Sequence, residues 1–356
     1  MAKCLVTGGA GFIGSHLVDA LVAQGDQVRV FDNLSTGKKE NLDQVESKIE
    51  LVNGDLRDKE AVHRAIHGVD YVFHIAALRA VLRSVDDPVE TNDVNVTGTL
   101  NVLLAARDAK VKRVISTSSS SVYGDTEKFP CHEDDLPRPQ SPYAASKIMG
   151  EYYCKIFTRL YGLETVSLRY FNVFGPRQNP ESVYSAVIPI FIDCLLRGVS
   201  PEIHWDGKQS RDFSYVDNVV KGNILATQAK GIQGEVFNIA CHEEFSILDV
   251  FENLKEILSS PNAAEQHCGK AARVLIGDPH VDSRQKIAGM TNIKNITPVF
   301  KPKRAGDVRR TYADISKAQK HLGFTVQTRF RPGLEKTVKW FLNSGVLNAK
   351  SSRGKS

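Results

Sequence analysis

Lys3-Cys-Leu-Val-Thr-Gly-Gly-Ala-Gly-Phe-Ile-Gly-Ser15 is the stretch that decides the fold class. A short apolar run leads straight into Gly8, Gly11 and Gly14. Phe12, Ile13, Leu17, Val18 and Leu21 then recur at helical spacing. Glycine is needed where a backbone turns sharply and must approach a ligand with no side chain in the way. The helix that follows offers free N–H groups and a positive dipole end to a pyrophosphate. A glycine triplet alone is weak evidence, because ordinary turns use glycine too. Here Gln27-Val-Arg-Val-Phe-Asp32 supplies a second strand ending in an acid, 18 residues past Gly14. A βαβ unit places the carboxylate for an adenosine ribose at about that distance. Asp32 favours NAD over NADP, since a 2′-phosphate would meet a negative charge. Lys38 and Lys39, just beyond the polar loop 33–37, leave NADP open.

Working outward, six strands and four helical patterns alternate over the first half of the chain. The strands are expected at 4–7, 28–31, 49–52, 71–75, 113–117 and 164–169, and the helices at 12–24, 58–67, 90–109 and 143–161. Such alternation predicts an α/β fold, a doubly wound parallel sheet of Rossmann type with ligands at the carboxyl ends of the strands. Beyond Gly175 the pattern loosens: a helix near 184–197, a strand at 202–205, a helix behind Tyr215, a strand at 236–240 and a helix capped by Ser246. We therefore expect a dinucleotide-binding domain over 1–175 and a smaller α/β substrate lobe over 176–340. Within the lobe, 259–300 is polar and poorly periodic and reads as an insertion, and 341–356 reads as a disordered tail.

Composition narrows the class. A net charge of +5 over 356 residues is small, and part of the excess sits in the tail, so no nucleic-acid partner is expected. No apolar run is long enough for a bilayer and no leader precedes the first strand, so neither membrane nor export is expected. Six cysteines at 4, 131, 154, 194, 241 and 268 show no CxxC spacing. No metal site is expected, and reduced thiols of a cytoplasmic protein are the default reading.

Tyr143-Ala-Ala-Ser-Lys147 carries the chemistry. Positions i and i+4 share a helix face. A lysine ammonium held near a phenol favours the phenolate, so a tyrosine that ordinarily titrates near ~10 can serve as a base at neutral pH. YxxxK also occurs by chance in many helices as a surface pair. Upstream, Ser116–Ser121 puts six hydroxyl residues at a strand end, where a doubly wound sheet exposes its ligand face. One of them can relay a substrate proton; most would only satisfy nearby backbone.

Gly8–Gly14, the hydroxyl run before Val122-Tyr-Gly124, the Tyr143/Lys147 pair and Arg169-Tyr-Phe-Asn-Val-Phe-Gly175 together resemble an extended short-chain dehydrogenase/reductase, and more narrowly the nucleotide-sugar 4-epimerases. The resemblance covers about residues 3–340, the insertion apart. It implies Tyr143 as base, Lys147 as its partner and Ser119 as the catalytic hydroxyl. It implies an NAD held by Gly8, Gly11, Phe12, Ile13, Gly14, Asp32, Asn33, Ser35, Gly37, Asp55, Leu56, Ala76, Ala77, Tyr143, Lys147 and Tyr170. For a UDP-sugar it implies contacts from Ala80, Ser119, Ser120, Tyr143, Asn172, Ala186, Val187, Arg211, Arg304, Asp307 and Thr311. A guanidinium fork suits a diphosphate and a carboxylate suits a ribose diol, in keeping with Arg211, Arg304 and Asp307. Without the resemblance Arg211 reads as an ion pair with Asp212. Relatives pair through two helices, so a homodimer through 90–109 and 143–161 is implied.

The reaction is narrowed by what stands before Val122. Related 4,6-dehydratases carry an Asp-Glu pair at the places of Ser120 and Ser121, and decarboxylases a Glu at that of Ser121; neither hydroxyl is a general acid at neutral pH. A base, a hydroxyl and a retained NAD remain, which suffice to invert C4 through a 4-keto sugar. Thr311 maps to the gatekeeper at the end of the sugar pocket, and threonine leaves room for a 2-acetamido group. UDP-GlcNAc/UDP-GalNAc is therefore the expected pair, with UDP-Glc/UDP-Gal possible on the same site. A register slip would put Tyr312 there instead. Arg79-Ala80 stands where that subgroup has Gly-Ser, and a cation there points toward a carboxylated sugar, so UDP-glucuronate 4-epimerase is the alternative. A non-catalytic NAD-dependent regulator would show a damaged Tyr/Lys/Ser set, and a 4-ketosugar reductase would use NADPH, against Asp32.

Overall fold

β1 (Lys3–Thr7), β2 (Gln27–Asp32), β3 (Ile49–Asn53), β4 (Tyr71–His74), β5 (Arg113–Ser119) and β6 (Thr165–Tyr170) pair in parallel in the computed structural model, together with a seventh strand, Glu235–Ile239. The spatial order is Glu235–Ile239, β6, β5, β4, β1, β2, β3. The chain reverses direction across the sheet between β1 and β4, and ligands of such sheets bind at that switch point. The strands are near-continuous apolar or small runs because helices cover both faces: all six residues of β6 are buried. The structure describes residues 1–79, 81–179, 186–260, 293–304 and 307–344. Ala80, most of the expected insertion (261–292) and the tail from 345 lie outside the described residues.

The covering helices are α1 (Phe12–Ala23), α2 (Lys59–Ile66), α3 (Val81–Asp86), α4 (Pro88–Asn92), α5 (Gly98–Asp108) and α6 (Pro142–Tyr161). The single helix expected over 90–109 is interrupted by a π-helical turn at Asp93–Thr97. α6 shows why local sequence suffices for a long helix. Ser141 accepts the Ala144 N–H at 3.1 Å, Pro142 opens the first turn, and Gly162 ends the helix at φ 70°.

Two compact units divide the chain, and they interleave. The first takes 1–173, 212–244 and 310–328; the second takes 174–211, 245–309 and 329–356. The boundary expected from the sequence lies near 175, with 176–340 given mostly to the lobe. The strand expected at 236–240 instead completes the main sheet. In the second unit, helices Val187–Leu196 and Ile247–Leu258 meet through an edge-on Phe191–Phe251 pair, and Phe245 stacks on Phe330 at 4.1 Å. Ser246 caps its helix reciprocally with Asp249, as its position suggested. Val299–Lys301, inside the expected insertion, is a strand parallel to Glu202–His204. Helix Phe330–Ser344 buries Phe341, so the expected disordered tail is helical over 341–344.

The glycine loop is shaped by the chain's own crowding. Gly8 has φ 70°, and a Cβ there would lie 2.7 Å from Ala76 Cα; a Cβ on Gly14 would lie 2.1 Å from Gly8 O. Gly25 also has a positive φ, 84°, but nothing lies within 4 Å of its Cβ position. Gly25→Ala should therefore cost only the left-handed backbone penalty, about 1–2 kcal/mol, and Gly14→Ala clearly more. Urea unfolding of the two variants checks this, and equal losses would refute the close approach.

Candidate active site

The carboxyl ends of β1, β2 and β4 form the dinucleotide end of the first unit. Gly11 begins α1 without any side-chain cap, so the first-turn N–H groups face outward uncovered by a capping residue. Asp32, buried at the end of β2, accepts the N–H of Ala10 and of Leu34, each at 2.9 Å. Burial raises its carboxyl above the usual range, and those two N–H groups pull it down. Asp32 thus clamps the loop from inside while each oxygen retains a lone pair for a ligand. A Cβ on Gly37 would sit 3.0 Å from Ala10 and 3.1 Å from Asp32 Oδ1. Asn33 donates to Asp55 at 3.0 Å, and its own oxygen accepts the Ser35 N–H. Asp55 is held well below the ordinary carboxylate range, chiefly by Arg57. Leu56 is buried, and Ala76 and Ala77 follow β4. A side-chain-free cradle with an open helix end and an acid beside it fits a dinucleotide such as NAD.

The catalytic candidates lie along β5 and α6. The Ser119 hydroxyl acts on the Tyr143 phenol. Ser119 also accepts from the Ser121 N–H at 3.2 Å and the Ser121 hydroxyl at 3.0 Å. Burial pushes the Tyr143 phenol up; the Ser119 hydroxyl and then the Arg79 cation pull it back. Lys147 is buried and donates to the Thr117 carbonyl at 3.0 Å, with its Nζ 5.9 Å from the Tyr143 ring centre. Burial lowers its ammonium to about 8, against a raising effect from Glu151. The sequence reading gave Lys147 the task of favouring the phenolate. The Lys147 ammonium stands over the phenol ring, and Arg79 adds a cation that favours the phenolate.

The hydroxyl run is used differently from the expectation that most members serve nearby backbone. Thr117 donates to the Tyr170 hydroxyl at 3.3 Å, Ser118 donates to Glu151, and Ser121 donates to Ser119. Ser120, half-buried, has no protein partner among the described residues. Tyr170 is buried and its hydroxyl is satisfied by Asn223 as well, at 2.7 Å and 3.0 Å. That leaves only its backbone for a cofactor. Thr311 donates to Asn172 Oδ1 at 3.2 Å. Tyr312, which follows the strand Arg310–Thr311, stacks on His242 and meets its Nε2 at 3.1 Å. The register is therefore the one that sets Thr311, not Tyr312, beside Asn172.

Ala186, Val187, Arg211, Arg304 and Asp307 belong to the second unit. Ala186 precedes helix Val187–Leu196. Arg211 donates to the Ser210 carbonyl at 2.7 Å, and the Asp307 N–H meets the Arg304 carbonyl at 3.3 Å. The carboxylate of Asp212, in the first unit, accepts the N–H groups of Cys241, His242 and Ala313.

Sequence reasoning missed the network behind the site. Thr99 donates to the Asn95 carbonyl at 2.6 Å, so it accepts from His74 Nε2 at 2.9 Å. His74 is thereby the Nε2–H tautomer, and its Nδ1 accepts from Thr7 at 2.9 Å. Asn95, in the π turn, holds both polar groups of Leu78 and donates to Ser146, which donates to the Tyr143 carbonyl. A histidine closing a strand gave no sign of this. Among the described residues no acidic, histidine or cysteine cluster could hold a metal, and no helix is long and apolar enough to cross a membrane.

With the geometry in place, comparison places the chain. A model described as the NAD dependent epimerase/dehydratase family matches residues 4–240. A putative UDP-glucose 4-epimerase of Methanocaldococcus jannaschii is 37% identical over 342 residues, 96% of this chain and 98% of its own. A solved UDP-N-acetylglucosamine 4-epimerase of Methanobrevibacter ruminantium, in complex with UDP-N-acetylmuramic acid, is 38% identical with TM-score 0.83, covering 96% of this chain and 99% of its own. A solved UDP-glucuronic acid 4-epimerase variant of Bacillus cereus, holding NAD and UDP-4-deoxy-4-fluoro-glucuronic acid, is 30% identical with TM-score 0.81, covering 96% and 99%.

Burial holds His74 neutral and lowers it to about 3, with Lys147 adding to the effect. An unfolded histidine titrates near 6.5. The unfolded chain therefore takes up a proton that the folded chain refuses, and His74 costs stability as pH falls from 6.5 toward 3. The cost reaches about 2 kcal/mol at pH 5. Asp212, raised by burial to about 7, acts oppositely and favours the folded state as pH falls through 7. His74→Gln should remove only the first effect. Its stability relative to the parent should rise by about 2 kcal/mol between pH 7.5 and pH 5 in urea unfolding; a constant difference would refute it.

Proposed function

Because the chain belongs to the NAD dependent epimerase/dehydratase family, we propose that it inverts C4 of a UDP-sugar, with UDP-GlcNAc/UDP-GalNAc as its main pair. The observation that carries this reading is Thr311 beside Asn172, with the Ser119 hydroxyl acting on the Tyr143 phenol in the same unit. A small side chain at Thr311 leaves space for a 2-acetamido group. Ser120 and Ser121 supply no acid for dehydration or decarboxylation.

In this reading Gly8, Gly11, Gly14, Asp32 and Gly37 hold NAD, and Lys147 reaches its ribose. NAD, when bound, supplies the reversible oxidation at the sugar C4. Tyr143 takes the O4 proton, with Ser119 bridging the phenol to O4. The same phenol returns the proton after the 4-keto sugar has turned its other face. Arg211, Arg304 and Asp307 hold the UDP.

A second reading is favoured by Arg79. It has no ion pair or hydrogen bond with another described residue, burial holds its guanidinium below its usual range, and it acts on the Tyr143 phenol. An unpaired guanidinium beside the base suits a sugar carboxylate, and so UDP-glucuronate.

α6 also carries exposed Met149, Tyr152, Ile156 and Leu160 at helical spacing. A contiguous apolar stripe of this kind calls for a covering partner. We read it as the face of a homodimer.

Tyr143→Phe should lower turnover by at least about a thousandfold while NAD remains bound. NMR of the parent with UDP-GlcNAc, UDP-Glc and UDP-GlcA in separate tubes, without added NAD, reads the C4 epimer. Thr311→Tyr should suppress the N-acetylhexosamine reaction and spare UDP-Glc. Epimerisation of UDP-GlcA alone selects the second reading, and no epimer in any tube overturns both. Light scattering should give twice 39.3 kDa for the parent and 39.3 kDa for Ile156→Glu/Leu160→Glu; an unchanged mass would remove the dimer face.

A further inference from the structure

Three consecutive residues of β5 engage one stripe of α6. The Ser119 hydroxyl acts on the Tyr143 phenol, the Thr117 carbonyl accepts from Lys147 Nζ at 3.0 Å, and Ser118 donates to Glu151. Tyr143, Lys147 and Glu151 are spaced four apart, so the carboxylate lies one turn beyond the ammonium. Glu151 does not pair with Lys147. Arg169 on β6 grips it with two bonds, Nε to Oε1 at 2.8 Å and Nη2 to Oε2 at 2.7 Å. Both side chains are 3% exposed. Arg169 is itself held: its guanidinium lies 4.7 Å over the Tyr123 ring, and Nη1 donates to the Glu133 carbonyl at 3.2 Å.

We infer that Glu151, fixed by Arg169 and Ser118, is a positioning residue that keeps the Lys147 ammonium charged without drawing it away from the site. Two opposing needs explain the arrangement. A buried lysine sheds its proton unless an anion is near. A direct ion pair would hold that lysine against the anion and take up its donors. With Glu151 tethered from the far side, Nζ spends one donor on Thr117 among the described residues and keeps two. The other groups facing the pair cannot replace it. His74 on β4 is neutral, with both ring nitrogens engaged. Tyr143 and Tyr170 are phenols, and Arg79 is a cation that can only oppose a second positive charge. Glu151 is the carboxylate that acts on Lys147 among the described residues.

This inference rests on Tyr143 and Lys147 being the catalytic pair. The test is the pH profile of kcat on the UDP-sugar the parent turns over, for Glu151→Gln, Ser118→Ala and Lys147→Met, with thermal unfolding of each. Glu151→Gln should move the alkaline limb down by at least about one pH unit and cut kcat at pH 8 about tenfold, with KM within about twofold. Ser118→Ala, which keeps the charge but loosens it, should shift the same limb by less, and it serves if Glu151→Gln does not fold. A limb that stays in place in the folded variants, with or without a uniform loss of rate, overturns the positioning role. If Lys147→Met keeps the parent rate and profile, the catalytic pair itself fails. If Lys147→Met is inactive while the other profiles stay unmoved, only the role of Glu151 fails.

Discussion

His74 refuses a proton, and much of the site depends on that. Its two ring nitrogens tie Thr7, at the end of β1, to Thr99 on α5. Through the Asn95 carbonyl the same chain of bonds reaches Leu78, Ser146 and the backbone of Tyr143. The strand that opens the dinucleotide loop and the helix that carries the phenol are thus parts of one hydrogen-bonded piece. Protonating the imidazole would force the Thr7 hydroxyl to reverse from donor to acceptor at Nδ1. The π turn belongs to the same logic. The extra residue in that turn re-aims a side chain, and Asn95 is the one aimed inward.

What could be read from the chain alone were features whose parts are close in sequence. The glycine loop and Asp32 fall within one βαβ unit, and Tyr143 and Lys147 within one helical turn. Strand ends and the helix cap Ser246 were equally local. The partners that give the site its electrostatics are remote. Glu151 meets Arg169 18 residues away, and Thr7 meets His74 67 residues away. Only the strand order brings them together, and no spacing rule announces it. Tyr170 shows the opposite failure. It sits in a telling motif at the end of a ligand-facing strand, yet its hydroxyl turns inward to Asn223 because a buried phenol needs a partner.

The same contrast applies to charge. From the sequence, Lys147 was the natural cation for the phenol, being one turn away. In the folded chain its ammonium donates to a strand carbonyl, and Arg79 also pulls on the phenol. The lysine's local environment is set instead by a carboxylate locked to a second strand. Electrostatics at this site is a property of β4, β5, β6 and α6 together.

The interleaving of the two units also governs the order in which the chain can be finished. β6 is buried along its whole length, and its edge is paired by Glu235–Ile239, a strand that begins 65 residues after Tyr170. During synthesis at roughly 5–20 residues per second, those residues take about 3–13 s to emerge. For that interval an apolar strand of the nascent sheet has an unpaired edge, and such edges invite pairing with other chains. Of the segment that intervenes, 174–211 is the first piece of the other unit, which must itself wait for residues beyond 244. Neither unit can close before the other has been begun, so the nascent chain passes through a period in which holdase chaperones have a defined strand to cover.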